Sequence, residues 1–206
     1  AICRTAVDED GLRFDADSVK AADIRDSQEY GGQRITLVAH LGRARIPLQV
    51  DVGFGDAITP GAQSMEFPSM LGFAVPRIRA YPIETVVAEK FEAMVDLGMA
   101  NSRMKDFYDL YALAGRFEFD GAVLSRAVRA TFDRRKTALP VGPPIALTDE
   151  FATDGQKVRQ WTAFLRKNEL ADAPSNLQDV VQALAGFLTP VMQAAAKGED
   201  FRMRWV

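Results

Sequence analysis

The chain has 206 residues, 48% of them apolar and 26% charged, with a net charge of −3, which is enough for one large or two small soluble domains with a real core. That charge excludes nucleic-acid binding by bulk attraction, while leaving room for a local basic patch. Cys3 is the one cysteine and His40 the one histidine, so a disulfide framework, a thiolate or imidazole metal cage and Ser-His-Asp catalysis are excluded within one chain, and any metal would be held by oxygen, as magnesium, manganese and calcium are.

No stretch approaches the ~20 apolar residues of a membrane span, and no signal peptide is visible, so no membrane association and a cytoplasmic location are expected. The sequence opens Ala1-Ile2-Cys3-Arg4 without methionine, which fits processing or a start inside a domain. Residues 1–81 read as β-rich. Gly11 to Ser18 is a weak strand candidate, and the polar run Asp23 to Gly32 reads as a loop. Arg34 to Leu41 and Ala44 to Phe54 alternate apolar and polar residues, with Gly42-Arg43 as a tight hairpin turn between them. Pro60 to Pro76 is loop-rich, with short strands expected at Ser64–Phe67 and Ile78–Tyr81.

From Pro82 the period becomes helical. Pro82 suits a first helical turn, with Glu84 favouring the dipole; Val86, Val87, Phe91, Met94 and Val95 give an apolar face, and Gly98 marks the stop. Asn101 or Ser102 caps a helix over about Arg103 to Ala114, and Asp120 caps Gly121 to Arg135. Leu139 to Leu147, with three prolines, is a linker. Helices follow at Thr148–Phe151, Gly155–Lys167 and Asn176–Ala196, the later ones carrying Trp161, Phe164, Leu165, Val180, Leu184 and Leu188 at helical spacing as core or partner surface. The expected architecture is α+β, a mostly antiparallel sheet over residues 1–81 and then a helical bundle over residues 82–206.

Chemistry concentrates between Ala88 and Leu110. Lys90 borders the apolar face of its helix, where a lysine ordinarily snorkels to solvent; its functional reading is a phosphate clamp or a general acid on leaving pyrophosphate. Asp106 and Asp109 share a helix face half-buried by Phe107 and Leu110, where a carboxylate needs a cation or a metal. Arg103 can pair with Asp106, and Lys105 with Asp109. Asp51 interrupts the strand Ile46 to Phe54 on the face opposite Val50 and Val52, a pattern unspecific alone that a solvated sheet face explains as well as a functional role does. Asp15 and Asp17 read as a turn or strand end, His40 and Gly31-Gly32 as structural. Arg126, Arg129, Arg134, Arg135 and Lys136 form a basic cluster, either a solvated helix face or a grip on an RNA backbone.

Three blocks, I-P-L-Q-V-D-V-G-F-G-D (46–56), R-A-Y-P-I-E-T-V-V-A-E-K-F-E-A-M (79–94) and N-S-R-M-K-D-F-Y-D-L (101–110), resemble the AbiEii/AbiGii toxin family of nucleotidyltransferases, within the polymerase-β-like superfamily. The resemblance implies a toxin of a bacterial toxin–antitoxin or phage-defence system that transfers nucleotides from NTP to RNA such as a tRNA acceptor end, with magnesium as cofactor and a cognate antitoxin as partner. Carried across, Asp51 is the strand carboxylate expected after the metal-binding pair, Lys90 matches the motif lysine, and Asp106 and Asp109 lie in the K-D-x-x-D-L motif beside Arg103 and Lys105. Catalysis is thereby expected of Asp51, Lys90, Asp106 and Asp109, metal binding of Asp51, and nucleotide binding of Lys90, Arg103 and Lys105. The family's first motif, a Gly-rich turn opening a helix followed by Asp-x-Asp on a strand, is not found; Asp15 and Asp17 lack its context. The chain is therefore expected to be a member without its N-terminal part, with an exposed sheet edge and with Asp51 and Lys90 facing each other across a cleft. It would act as an enzyme if the motif is supplied, or else as a non-catalytic module binding antitoxin or RNA.

Overall fold

The computed structural model describes residues 2–6, 9–24, 31–69, 72, 74–170, 172–199 and 201–205. They form two compact units, Ala1–Asp56 and Ala57–Val206. The change from strand to helix expected at residues 81/82 falls inside the second unit, which begins with a small hairpin.

The first unit is an antiparallel meander of three strands, Leu12–Ile24 (β1), Gly32–Leu41 (β2) and Ala44–Gly53 (β3), in the order β1-β2-β3. The β2–β3 hairpin lies where the alternation placed it, with Gly42 at φ +56° in the turn, a conformation that costs glycine no Cβ clash. Strand β1 is longer than the sequence suggested. Asp23 and Ile24, expected in a loop, pair with Gln33 and Gly32; the middle of that expected loop, 25–30, lies outside the described residues.

The β1–β2 register shifts between Asp15 and Lys20. Ser18 repairs the gap: its hydroxyl accepts the Val38 N–H at 2.9 Å and donates to the Asp15 carbonyl at 2.7 Å, replacing a ladder bond with side-chain chemistry. Cross-strand pairs share a face, so Ile35, Leu37 and Ala39 lie with Val50, Leu48 and Ile46, and Arg34 lies with Asp51. The apolar face buries Ala39 to 1% exposure but leaves Val50 at 49%.

The second unit opens with a hairpin of Gln63–Glu66 (β4) and Arg77–Ala80 (β5). Six α-helices of the described residues bound the core: Ile83–Leu97 (α1), Met104–Arg116 (α2), then, after the two-residue strand Phe119–Asp120 (β6), Gly121–Arg135 (α3), the short Asp149–Thr153 (α4), Gly155–Lys167 (α5) and, last, Leu177–Lys197 (α6). Phe91 and Met94 of α1, Phe107 and Leu110 of α2, Leu124, Val128 and Phe132 of α3, Phe151 of α4, Trp161 of α5 and the apolar stripe of α6 fill one core. Burying one such large side chain favours folding by about 1.5–3 kcal/mol.

Asp120 caps α3 as expected, and Asp154 and Asn176, for which no cap was expected, cap α5 and α6. Asp120 accepts from the N–H groups of Ala122 and Val123, Asp154 from Gln156 and Lys157, and Asn176 from Gln178; each cap contributes about 1 kcal/mol. Glu92 of α1, fully buried, takes Arg135 Nη1 at 2.7 Å and the Thr137 hydroxyl, so a carboxylate in the core is neutralised by the end of α3. Arg135 is thereby removed from the basic cluster expected to face solvent or RNA.

A short strand pair was not anticipated. Arg204–Trp205 (β7) pairs with β6, and Gly121 donates to the Met203 carbonyl at 2.9 Å. A Cβ on Gly121 would lie 2.5 Å from the Met203 carbonyl oxygen and 2.5 Å from Phe201 Cδ1, so glycine is what lets the C-terminal segment reach α3. Gly121→Ala is expected to destabilise the chain by about 1–3 kcal/mol through this overlap. Chemical denaturation against wild type is the check, and an unchanged midpoint would contradict it.

Candidate functional site

Helices α1 and α2 present one charged network. Lys90 sits midway along α1 with its Nζ 2.6 Å from Asp106 Oδ1 and 2.8 Å from Asp109 Oδ2. The spacing explains it: Asp106 and Asp109 are three residues apart on α2 and so point the same way. Lys105 Nζ reaches Asp109 Oδ2 at 2.6 Å, and Arg103 Nε lies 2.8 Å from Asp106 Oδ2. Lys90, Arg103, Lys105, Asp106 and Asp109, singled out from the sequence, are therefore brought together. Lys90 does not snorkel to solvent but turns onto α2.

Burial grades the network. Asp106 is 5% exposed, while the side chains of Arg103 and Lys105 are 58% and 72% exposed. Burial by itself lowers the Lys90 pKa, but hydrogen bonds and attraction to Asp106 and Asp109 outweigh it and hold the ammonium above its ordinary value. For Asp109, burial raises the pKa, and the hydrogen bonds from Lys105 and Lys90 overcome it, leaving the carboxyl below its ordinary value. Both groups are thus charged at neutral pH. An ammonium has three donors; two are spent on the carboxylates, and one is left for an incoming acceptor. Three cations against two carboxylates leave a positive surplus carried on the exposed rim, which suits phosphate oxygens.

Two groups support the network from behind, and one of them, Lys157, is not singled out by the sequence. Lys157 of α5, 3% exposed, donates to the Asn101 carbonyl at 2.8 Å and stands 5.2 Å from the centre of the Phe151 ring. Asn101, expected as a cap, accepts the Arg103 N–H at 2.8 Å. Together they fix the turn from which Arg103 and α2 start. The available signal was Lys157 in the same stripe as Trp161 and Phe164, a lysine at a core position.

Asp51 lies in the sheet unit. Its Oδ1 and Oδ2 accept from Arg34 Nε and Nη2, both at 2.8 Å, with the Gln49 amide at 3.2–3.3 Å. The forked Arg34 contact holds Asp51 below the usual carboxylate range. Among the described residues no three His, Cys, Asp or Glu side chains converge as metal ligands. A single carboxylate with both oxygens engaged by a guanidinium does not make a magnesium site, so this donor set alone does not fit the ion.

Lys90→Met keeps the side chain's length but leaves Asp106 to Arg103 and Asp109 to Lys105. The expected loss is about 1–3 kcal/mol at neutral pH, less than for a fully buried pair because exposed cations remain. The Asp109 contribution is complete above the ordinary carboxylate pKa and fades as pH falls through the depressed folded value; the Lys90 contribution is complete below the ordinary lysine pKa and fades as pH rises through the raised value. The stability gap between wild type and variant should be widest between about pH 5 and pH 10 and should shrink below about pH 4. Urea titrations at neutral and acid pH measure it, and a gap unchanged by acid would contradict the account.

Among the described residues no helix is long and apolar enough to cross a membrane. No protein of curated function matches the chain. The crystal structure of JHP933 from Helicobacter pylori resembles it with a TM-score of 0.44 and 15% identity, over 92% of this chain and 67% of that one. A family model described as "Nucleotidyl transferase AbiEii toxin, Type IV TA system" matches residues 1–185, through both units and all three sequence blocks. The chain belongs to the AbiEii family of nucleotidyl transferase toxins of type IV toxin–antitoxin systems.

Proposed function

We propose that the chain carries the phosphate-handling part of a nucleotidyltransferase that moves a nucleotide from NTP to RNA, with a tRNA-like acceptor, and that a cognate antitoxin opposes it. What supports the reading is the Lys90 ammonium, held charged by Asp106 and Asp109 with one donor to spare and flanked by Arg103 and Lys105. In such a transfer an RNA hydroxyl gives up its proton to solvent, its oxygen bonds to the α-phosphorus, the bond from that phosphorus to the bridging oxygen breaks, and pyrophosphate leaves. Negative charge grows on the leaving pyrophosphate, where fixed cations act most strongly. Lys90 is assigned to that charge, as an electrostatic clamp that can pass a proton to the leaving oxygen. Arg103 and Lys105 are assigned to the flanking phosphate oxygens, and Asp106 and Asp109 to holding Lys90 in place.

Magnesium is expected of this chemistry, and Asp51 is the residue of this chain proposed for it from the family motif. Since Asp51 is engaged by Arg34 and has no converging partners among the described residues, no step is assigned to the ion here. The same observation favours a second reading, a non-catalytic homologue that keeps an RNA- or antitoxin-binding surface.

Transfer of labelled nucleotide to tRNA with magnesium, from each of the four NTPs, separates the two. It should be run on this chain and on one extended upstream of Ala1. The proposal expects transfer that falls about a hundredfold or more in Lys90→Met and less in Lys105→Met. A folded protein that transfers nothing from any NTP in either form would overturn it in favour of the binding module.

A further inference from the structure

The sheet unit has a second charged surface that the transfer chemistry does not use. Arg13 pairs with His40, and His40 with Arg45. Directly paired residues share a face, and neighbouring strands are about 4.7–4.9 Å apart. The three side chains therefore form a row across β1, β2 and β3. Two registers along, Lys20, Thr36 and Gln49 form another row on the same face, and Arg34 and Asp51 neutralise each other beyond it. A depression of about 640 Å³ lies on this face, lined by Ser18, Lys20, Thr36, Arg45, Pro47 and Gln49 among others.

Arg13, Lys20 and Arg45 are exposed, and none pairs with a carboxylate among the described residues. Asp15 is the nearest acid on the face by register, and its Oδ1 accepts the Asp17 N–H instead. Arg13 and Arg45 flank His40 in one row and Lys20 stands in the other, so the face gathers exposed cations that no described carboxylate neutralises. An anion laid over them supplies the missing countercharge. The cations run along and across the sheet rather than converging on one point, which suits an extended polyanion better than a single phosphate. The rows carry no exposed aromatic anchor of the kind that dominates protein–protein hot spots, but they offer the cation, hydroxyl and amide donors that hold phosphodiester oxygens.

We propose that this face of the β1–β2–β3 sheet binds the sugar–phosphate backbone of RNA without reading its bases. The choice of RNA rests on the function proposed above; backbone binding itself needs no transfer. The experiment is fluorescence anisotropy with an end-labelled single-stranded RNA of mixed sequence, between about 50 and 200 mM salt. Wild type should bind more weakly as salt rises. Arg13→Gln with Arg45→Gln should weaken binding about tenfold or more at the lower salt and reduce the log–log salt slope by about 1.4, the share of two single-strand phosphate contacts. Arg13→Lys with Arg45→Lys should retain most of the affinity.

A folded glutamine double variant that binds as wild type does, with the same slope, would overturn the proposal. So would poly-glutamate binding as tightly as RNA, which would reassign the face to an acidic protein. Loss of RNA binding in Arg126→Gln with Arg129→Gln, but not in the sheet variants, would overturn it in favour of α3. RNA binding that follows the sheet cations in a protein with no transfer activity would sustain this proposal while the transfer reading fails.

Discussion

Two carboxylates on one face of α2 decide what Lys90 can do. A half-buried ammonium without countercharge would be driven toward its neutral form or out to solvent. Asp106 and Asp109 prevent both, keeping the charge on and the side chain turned inward. The carboxylates depend in turn on Arg103 and Lys105, which shield them from the solvent side. The network therefore both clamps α1 to α2 and presents a fixed positive edge. Such preorganisation is what electrostatic catalysis needs, because the cations do not have to be gathered when charge develops.

The surrounding bundle holds that arrangement from behind. Lys157 carries the Asn101 carbonyl from α5, and Glu92 ties the same helix as Lys90 to the end of α3 through Arg135 and Thr137. Both are buried charges satisfied by specific partners, which is costly to assemble and makes the geometry hard to rearrange. The sheet unit works differently. Its ladder is regular from β2 to β3 and irregular from β1 to β2, where Ser18 stands in for a ladder partner, and much of its charge stays on an open face.

The legible parts of the sequence were those governed by local chemistry. The hairpin at Gly42, the cap at Asp120 and the helix Gly155–Lys167 follow from turn, capping and periodicity rules acting within a few residues. The pairing of Arg103 with Asp106 and of Lys105 with Asp109 was legible for the same reason, since both are within one turn. What stayed hidden depends on contacts far apart in the chain. The strand Arg204–Trp205 is defined by its partner Phe119–Asp120 and has no periodicity of its own. Arg135 looked like one more surface cation because Glu92 lies 43 positions away. Asp51 read equally well as a solvated residue or a functional one, and the Arg34 fork across the ladder is a matter of register that alternation alone does not give.

The central claim is that Lys90, held by Asp106 and Asp109, is a phosphate-facing cation rather than an internal strut. Calorimetric titration of inorganic triphosphate into wild type, Lys90→Gln and Asp109→Asn at fixed ionic strength tests it directly, with a circular dichroism spectrum to show each variant folded. The account predicts saturable binding by wild type, about tenfold or more weaker in Lys90→Gln, and a smaller loss in Asp109→Asn, where the clamp is loosened but the cation remains. Equal affinity for wild type and a folded Lys90→Gln would contradict it.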